Sequence, residues 1–470
     1  MRTVIPRMLM FISLLLLIFP LFALAQSVTD TPPSLPTETV TTTPFPTPLP
    51  LVTPAAQQLI NIGSTIAESL PAGTTLAAYY FEGRAGQYVS ISLDIALSYT
   101  KLQLLDSGGL ELARGDFDGA AHRMEITAAK LPKDGTYTLA IERSEGLNTF
   151  TLNLKNLIVG DIAYGQVIDA LLTIDQTAML YRFRGSRFDV IDVSLLSTEF
   201  DPYVRLLDSS GHQLTGDDND GGGRNAFFGL KYLWEDADYL IHVSSKNELS
   251  TGAFQLRLNR AEFTPLHFDD TLEVDFTPDA PVAYFEFKGS IGDVVNLSVQ
   301  SDGTLDTVLQ MAEPDYMPSY QDDDGGAGFD PEIASWSLPK DGTYRVLLRP
   351  YLIGSEGQVT LTLSRANLSS LDSGTQEILL TEKNLLDAVS FTGRAGESVR
   401  LTIAVDPLMD NPPQVEVIQN GQTLASSNGS RPTFTLDVTI PADGLVVVQV
   451  RDIKSGPGTV QLSIERGRID

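Results

Sequence analysis

Two short segments of this 470-residue chain gather carboxylate side chains in a spacing that suits a hard metal ion. In the first, Asp201 precedes a run that contains Asp217, Asp218 and Asp220. An apolar stretch at 202–207, a tight turn and a return stretch separate them, which predicts a β-hairpin with Asp201 opposite Asp218. Carboxylates at one hairpin end repel one another unless a cation lies among them. Since Ca²⁺ accepts roughly six to eight oxygen ligands in flexible geometry, the spacing predicts a calcium site.

The second acidic segment repeats the pattern one hundred residues later. Asp306 is followed by the run Asp322, Asp323 and Asp324, and two glycines come after it. The alternative interpretation is a pair of solvated turns, because Asp, Asn and Gly favour turns through their backbone preferences alone. Neither segment carries the bidentate glutamate of an EF-hand loop at the required offset. Both interpretations stay open at the level of sequence.

Aromatic residues lie beside these segments. Tyr316 and Tyr320 flank the second acidic run, and we predict that they bind ligand, since aromatic side chains are favoured at recognition sites. Trp234 and Trp336 each lie at or just before an Asp-containing turn. We expect the two tryptophans to cap the end of a β-sandwich rather than to bind sugar.

The elements that must position these residues recur four times. The turn motif Leu-Pro-Lys-Asp-Gly-Thr-Tyr at 131–137 returns at 338–344, with looser copies from Leu233 and from Ile440. About fifty residues before each copy lies a Phe-x-Gly anchor, whose glycines are Gly83, Gly185, Gly289 and Gly393. The period of about 100 residues is too long for a solenoid repeat and matches a small domain. The sequence therefore predicts four tandem copies of one module.

Each anchor glycine is followed by strictly alternating apolar residues, as at Val89, Ile91 and Leu93. This period of two predicts a strand with one buried face, and turn signals separate several such strands in each module. No amphipathic helix longer than about two turns follows residue 60. We therefore predict an all-β fold of four tandem β-sandwich, jelly-roll-like domains. Their predicted bounds are 58–155, 156–260, 261–366 and a divergent 367–470, with short joints that favour a semi-rigid array.

The N-terminus predicts export. Arg2 and Arg7 precede an apolar run and the small-residue site Ala23-Leu24-Ala25, the pattern of a signal peptide over 1–25, with an uncleaved membrane anchor as the alternative. A Thr/Pro-rich linker over 26–57 favours extended polyproline II structure. The chain has no Cys, and its net charge of −28 disfavours nucleic acid and anionic lipid as partners. We expect a secreted or cell-surface protein with no membrane span after signal cleavage.

One module carries the clearest family resemblance. The string at 200–211, Phe-Asp-Pro-Tyr-Val-Arg-Leu-Leu-Asp-Ser-Ser-Gly, is followed by Gly-Asp-Asp-Asn-Asp-Gly-Gly at 216–222 and then by the turn motif. This pattern resembles the bacterial pre-peptidase C-terminal domain, and the resemblance extends from about residue 58 to 466. It implies a β-sandwich with an accessory, targeting or adhesive role outside the cell, and it does not imply catalysis. The fourth module departs most, since Ser426 and Ser427 begin the segment where the acidic loop belongs.

No catalytic constellation emerges from the motifs. The four histidines show no H-E-x-x-H spacing, and neither a G-x-S-x-G elbow nor a phosphate-binding glycine loop is present. We therefore expect no enzyme. The predicted function is a non-catalytic extracellular binding or adhesion protein that recognises protein or polysaccharide, with calcium ordering two modules. The alternatives are a ligand-free spacer or scaffold of the cell envelope and, less expected, an unrecognised hydrolase.

Overall fold

The strands of this protein form four repeats of a two-sheet sandwich. A computed structural model describes residues 57–69, 71, 73–94, 100–118, 123–142, 149–247, 249–315, 318–326, 328–381, 386–409, 412–427, 432–451 and 458–467. The predicted signal peptide 1–25 and the linker 26–57, apart from its last residue, lie outside this range. The described residues from 57 to 467 belong to one compact unit.

The first two modules share a long strand. Module one contains β1 (Gln57–Leu59), β2 (Thr65–Ser69), β3 (Leu76–Gly83), β4 (Tyr88–Asp94), β5 (Lys101–Leu105), β6 (Glu111–Arg114), β7 (Asp116–Asp118), β8 (Arg123–Lys130), β9 (Gly135–Glu142) and β10 (Thr149–Asp161). Module two adds β11 (Gln166–Leu172), β12 (Ala178–Gly185), β13 (Val190–Leu196), β14 (Pro202–Leu207), β15 (Gln213–Asp217), β16 (Ala226–Tyr232), β17 (Ala237–Ser245) and β18 (Gly252–Arg260). Strand β10 crosses the predicted boundary at 155/156, pairing antiparallel with β4 and then parallel with β12.

The last two modules repeat the same order. Module three contains β19 (Thr264–Pro265), β20 (Thr271–Phe276), β21 (Ala283–Gly289), β22 (Val294–Ser301), β23 (Thr307–Ala312), β24 (Pro318–Asp322), β25 (Glu332–Ser337), β26 (Gly342–Pro350) and β27 (Gly357–Arg365). Module four contains β28 (Ser369–Ser370), a 3₁₀ turn (Leu371–Ser373), β29 (Gln376–Leu380), β30 (Leu386–Gly393), β31 (Ser398–Val405), β32 (Gln414–Gln419), β33 (Gln422–Ser427), β34 (Thr433–Thr439), β35 (Gly444–Arg451) and β36 (Gly458–Arg466). The predicted all-β class is confirmed.

Each module has a front sheet and a back sheet, and β10 joins the back sheet of module one to the front sheet of module two in one nine-stranded hydrogen-bonded sheet. In module three the front sheet has the order β19-β21-β26-β23-β24 and the back sheet β20-β27-β22-β25, and module four repeats both orders. The alternating apolar residues after each anchor point into the space between the sheets. Val89, Ile91 and Leu93 are fully buried there, and each module has its own cluster of such side chains. Burying one large aliphatic side chain contributes about 1.5–3 kcal/mol, so these four clusters hold the sandwiches together.

The two repeated motifs are partners in space. A Cβ atom on Gly185 would overlap Leu233 Cδ1 and lie 3.0 Å from ring atoms of Tyr239. The glycine therefore lets the buried side chains of the turn motif pack closely against the Phe-x-Gly strand. The turn aspartate completes the pair, because the Asp236 carboxylate accepts the Arg187 backbone N–H at 2.8 Å. The other three modules have the same aspartate contact, so these acids shape their turns.

The back sheet of each module packs on the front sheet of the next. A separate apolar cluster fills each joint, and its members come from both modules. At the first joint Tyr88 and Ala128 of module one contact Leu207 and Leu240 of module two. In the part of the chain that the structure describes, no helix has the length and apolar character needed to cross a membrane.

Candidate functional site

The acidic loop of module two begins at the end of the β14–β15 hairpin. A bulge between Leu206 and Leu207 shifts the register, so that Val204 faces Asp217. Asp217 is the last residue of β15, so Asp218 follows the paired residues and the predicted pair of Asp201 with Asp218 is not part of this ladder. The bulge adds one residue to one strand only, and sequence spacing does not reveal it.

The carboxylate of Asp217 organises its own loop. Its Oδ2 accepts backbone N–H bonds from Asn219, Asp220 and Phe227 at 2.8 to 2.9 Å. Burial raises the pKa of Asp217, and the three N–H donors oppose that shift. One carboxylate oxygen of the predicted calcium set is thus used to hold the loop to strand β16.

Two protein cations lie at this loop. Lys246 Nζ is 2.8 Å from Asp218 Oδ2 and 4.7 Å from the ring centroid of Tyr203. Arg349, from module three, donates from Nη2 to the Asp220 carbonyl oxygen and lies 4.9 Å over the Phe227 ring. These side chains supply positive charge where we predicted a metal ion.

Arg349 is the centre of the joint between modules two and three. Its Nη1 donates to the Pro350 and Tyr351 carbonyl oxygens, both at 2.9 Å, and the residue is 4% exposed. Burial lowers the pKa of Arg349 to about 10, so it remains charged at neutral pH. Ile353 N–H donates to the Gly221 carbonyl at 2.9 Å, which fastens the acidic loop to module three. The loop is an interface element between two modules.

The acidic segment of module three has a similar organiser. Asp322 Oδ2 accepts the Gly325 and Glu332 backbone N–H groups at 2.8 Å. Burial, together with the charges of Asp323 and Asp324, raises the pKa of Asp306. The two loop carboxylates therefore lie near enough to Asp306 for their charges to act on it. Among the described residues, however, no three acidic or histidine side chains are grouped tightly enough to hold a metal ion.

The structure describes only one of the two predicted ligand-binding tyrosines. Tyr316 lies outside the described residues. Tyr320 is half-buried, with its ring 5.1 Å from that of Trp336 and the Arg451 guanidinium of module four 5.9 Å away. Tyr320 is thus part of the joint between modules three and four, and Trp336 beside it is partly buried against the core of module three.

The joint between modules one and two contains a charged group that the sequence analysis missed. Arg205 Nη1 donates to Glu125 Oε1 at 2.9 Å and to Thr127 Oγ1 at 3.1 Å. Burial alone would raise the pKa of Glu125, but the charge and hydrogen bonds of Arg205 hold it below its ordinary value. His242 lies beside the pair, and burial with the Arg205 charge lowers its pKa to about 3. Arg205 and His242 lie within apolar strands, which was the available signal.

A second buried acid lies at the joint between modules two and three. Asp192 Oδ2 accepts the Tyr284 hydroxyl at 2.7 Å, and Oδ1 accepts Asn259 Nδ2 at 3.0 Å. Burial raises the pKa of Asp192, while these two donors oppose the shift. Tyr284 belongs to module three, so this hydrogen bond joins the two modules in addition to their apolar contact.

Aromatic side chains are exposed at one place on module two. Trp234 and Phe188 are 53% and 51% exposed, with ring centroids 6.4 Å apart at 83°. Tyr232, buried at the neighbouring joint, stacks on Trp234 at 6.1 Å. Trp234 therefore does not cap the sandwich core as predicted, since half of its surface contacts solvent.

Comparison with known proteins locates similar structures only. No protein-family model and no curated protein matches the chain. The pre-peptidase C-terminal domain of a collagenase from Bacillus anthracis is 22% identical, with a TM-score of 0.19, over 21% of this chain and 94% of that one. A periplasmic inhibitor of g-type lysozyme from Aeromonas hydrophila is 9% identical, with a TM-score of 0.19, over 22% of this chain and 96% of that one. A putative secreted protein from Eubacterium rectale is 10% identical, with a TM-score of 0.18, over 43% of this chain and 79% of that one.

Proposed function

We propose that this chain is an exported, non-catalytic binding protein that attaches to extracellular protein or polysaccharide through modules of the pre-peptidase C-terminal type. The observation that supports the proposal is the use of the acidic loop of module two. Asp217 holds backbone N–H groups, Lys246 pairs with Asp218, and Arg349 closes the loop against module three. Its carboxylates serve packing, so they are poorly placed to act as the acid and base of a hydrolase.

A ligand-free spacer is the second candidate function. The three joints favour it, because each combines an apolar cluster with at least one hydrogen bond between modules, such as that of Gln449 Nε2 to the Ser335 carbonyl at 2.7 Å. Packed joints limit the freedom of neighbouring modules, and a stiff array suits a spacer as well as a binder.

A binding screen of the full chain separates these functions. The chain is immobilised, and fibrous proteins and neutral and acidic polysaccharides are passed over it, with release of soluble products measured in parallel. Saturable binding without product release is the expected result. Binding to none of the probes would favour the spacer, and steady product release from one of them would contradict the non-catalytic proposal.

The proposal retains calcium for module three. The charges of Asp323 and Asp324 add to burial in raising the pKa of Asp306. These side chains are not grouped as a metal site among the described residues, so a divalent cation would have to draw them together on binding, and it would then relieve their repulsion. Binding to the native state only would raise stability by about 2.7 kcal/mol when Ca²⁺ is at one hundred times its Kd. Calorimetry with Ca²⁺ and with chelator measures this.

The calcium test has a matched control. We expect Asp323→Asn to abolish the shift in melting temperature, and Asp175→Asn, at an exposed acid of module two, to leave it in place. Superimposable melting curves of the wild type in calcium and in chelator would rule out the calcium site and leave the binding proposal standing.

A further inference from the structure

Module two departs from the other three modules in the turn before β13. At that position Gly86, Gly292 and Gly396 adopt φ values of +80°, +82° and +81°. Phe188 occupies the equivalent position with φ +72°. A bulky residue in the left-handed region is an outlier, because its Cβ crowds the backbone, and glycine avoids the strain. The fold of the module therefore does not account for the phenylalanine.

The neighbouring turn motif shows a second exchange in the same module. Trp234 stands where the other copies have Pro132, Pro339 and Pro441. The two exchanged residues are adjacent, since the edge-to-face contact of Trp234 with Phe188 joins them. Both remain about half exposed with all four modules in place. Module two alone thus replaces two turn residues with a pair of neighbouring, exposed aromatic rings.

The pair has a rigid base and a polar border. Tyr232 stacks on Trp234 at an interplanar angle of 28° and is itself buried at the joint, which supports the indole from below. The Arg187 guanidinium lies 4.6 Å from the Phe188 ring centroid. Arg184 Nη1 is 3.5 Å from the Asp238 carboxylate at the same end of the module. One guanidinium thus lies on the aromatic pair, and further charged side chains lie on the strands next to the two turns.

We infer that Phe188, Trp234 and Arg187 form a binding site for a neutral polysaccharide. The inference rests on the proposed function and names its ligand and its site. The C–H face of a pyranose ring is flat and apolar and matches an aromatic ring, while its hydroxyl groups match a border of guanidinium and carboxylate. The net charge of −28 repels acidic polymers, so a neutral chain is the favoured ligand.

The size of the surface argues against a globular protein partner. Large aromatic side chains bury about 150–250 Å² each when fully covered. Two rings that are half exposed therefore present roughly 200 Å², whereas a specific protein interface buries at least about 1,000 Å². One or two sugar rings cover such a surface completely, and the repeating units of a polymer offer many equivalent ligands to it.

The test restores the residues that the other modules carry. Phe188→Gly and Trp234→Pro are made in the full chain, and affinity electrophoresis measures their binding to hydroxyethyl cellulose, soluble starch, mannan and β-1,3-glucan, with polygalacturonate as an acidic comparison. We expect each substitution to weaken binding to the preferred neutral polymer about tenfold, the size of effect seen when a recognition aromatic is removed. Phe329→Ala, at an exposed aromatic of module three, is the matched control and should bind as the wild type does.

Fluorescence provides a second measurement at the site. The chain has two tryptophans, so Trp336→Phe leaves Trp234 as the single reporter. A saturable change in its emission on adding the polymer is expected in that background and is absent when Phe188→Gly is added. Phe188→Gly relieves an outlying backbone angle, so an unchanged melting temperature will show that lost binding is not lost folding.

The outcomes separate the inference from the proposed function. Neutral-polymer binding that both substitutions leave intact, or binding of the wild type to protein probes or to polygalacturonate alone, would overturn the site and leave the binding function standing. Failure of the wild type to bind any protein or polysaccharide would overturn both.

Discussion

His242 makes the joint between modules one and two sensitive to acid. The side chain is 2% exposed, and its Nδ1 has no hydrogen-bond partner among the described residues. Burial, with the Arg205 charge as the next cause, lowers the pKa of His242 from 6.5 to about 3, although the Glu125 charge opposes the shift. The folded joint therefore binds the proton less readily than the open state does. The stability that the neutral His242 contributes to the joint is fully present above about pH 6.5, and it is lost as the pH drops from 6.5 toward 3.

The loss can be calculated from the two pKa values. At pH 5.0 the open state is almost fully protonated at this residue and the closed state is not, which destabilises the closed joint by about 2 kcal/mol relative to pH 7.5. Glu125 contributes little in this range, because its pKa is held below its ordinary value of 4.5. The substitution His242→Leu removes the proton-binding group and keeps the site filled with an apolar side chain.

Hydrogen exchange of the full chain measures the effect at strand β17. We compare the opening free energy of peptides from Ala237–Ser245 at pH 7.5 and pH 5.0, after division by intrinsic exchange rates. The wild type should lose about 2 kcal/mol and His242→Leu almost none. Carboxylates elsewhere titrate in both proteins and cancel in the difference between them. An equal loss in both, or no loss in the wild type, would refute the reasoning.

Three further substitutions test other parts of the structure. Gly289→Ala should destabilise module three by about 1–3 kcal/mol, because its Cβ would overlap Leu338 Cδ1, and a denaturant titration that leaves the module unchanged would contradict the anchor explanation. Tyr284→Phe should cost about 1.5–3 kcal/mol at the second joint, since Asp192 loses a buried donor, and hydrogen exchange at β21 reports it. Phe188→Gly should leave the melting temperature unchanged or higher, because relief of about 1–2 kcal/mol of left-handed strain offsets a lost ring contact of similar size; a clear fall would mean that the ring is structural.

Much of the sandwich could be read from local pattern. The alternation through Val89, Ile91 and Leu93 indicated one buried face, and these residues are buried between two sheets. The Leu-Pro-Lys-Asp-Gly-Thr-Tyr motif was predicted to be a turn, and its aspartates accept backbone N–H bonds from the neighbouring turn. Both features depend on residues close in sequence or on a period of two. Such short-range patterns can be recognised in a single sequence. The predicted boundary at 155/156 lies inside β10, a strand that continues from one module into the next.

The candidate site was harder to predict. The facing pair of Asp201 and Asp218 depended on a hairpin register that the turn position and a bulge both changed. The counter-charge of the acidic loop comes from Lys246 and from Arg349, and Arg349 is more than one hundred residues away in the chain. Phe188 was visible as a departure from the glycine of the other repeats, but its exposure was not.

The order of strands, the turns and the inward faces of the sheets follow from patterns that each module carries within itself. What covers the outward faces is decided only when one module packs on the next. Arg205 and Glu125 are 80 residues apart in sequence, but Arg205 Nη1 lies 2.9 Å from Glu125 Oε1. The sequence around either residue does not indicate that the other is its partner. Charge compensation and burial depend on distance through space, whereas hydrophobic periodicity depends on distance along the chain. The sandwich was therefore predictable from sequence, and the joints with their buried charges were not.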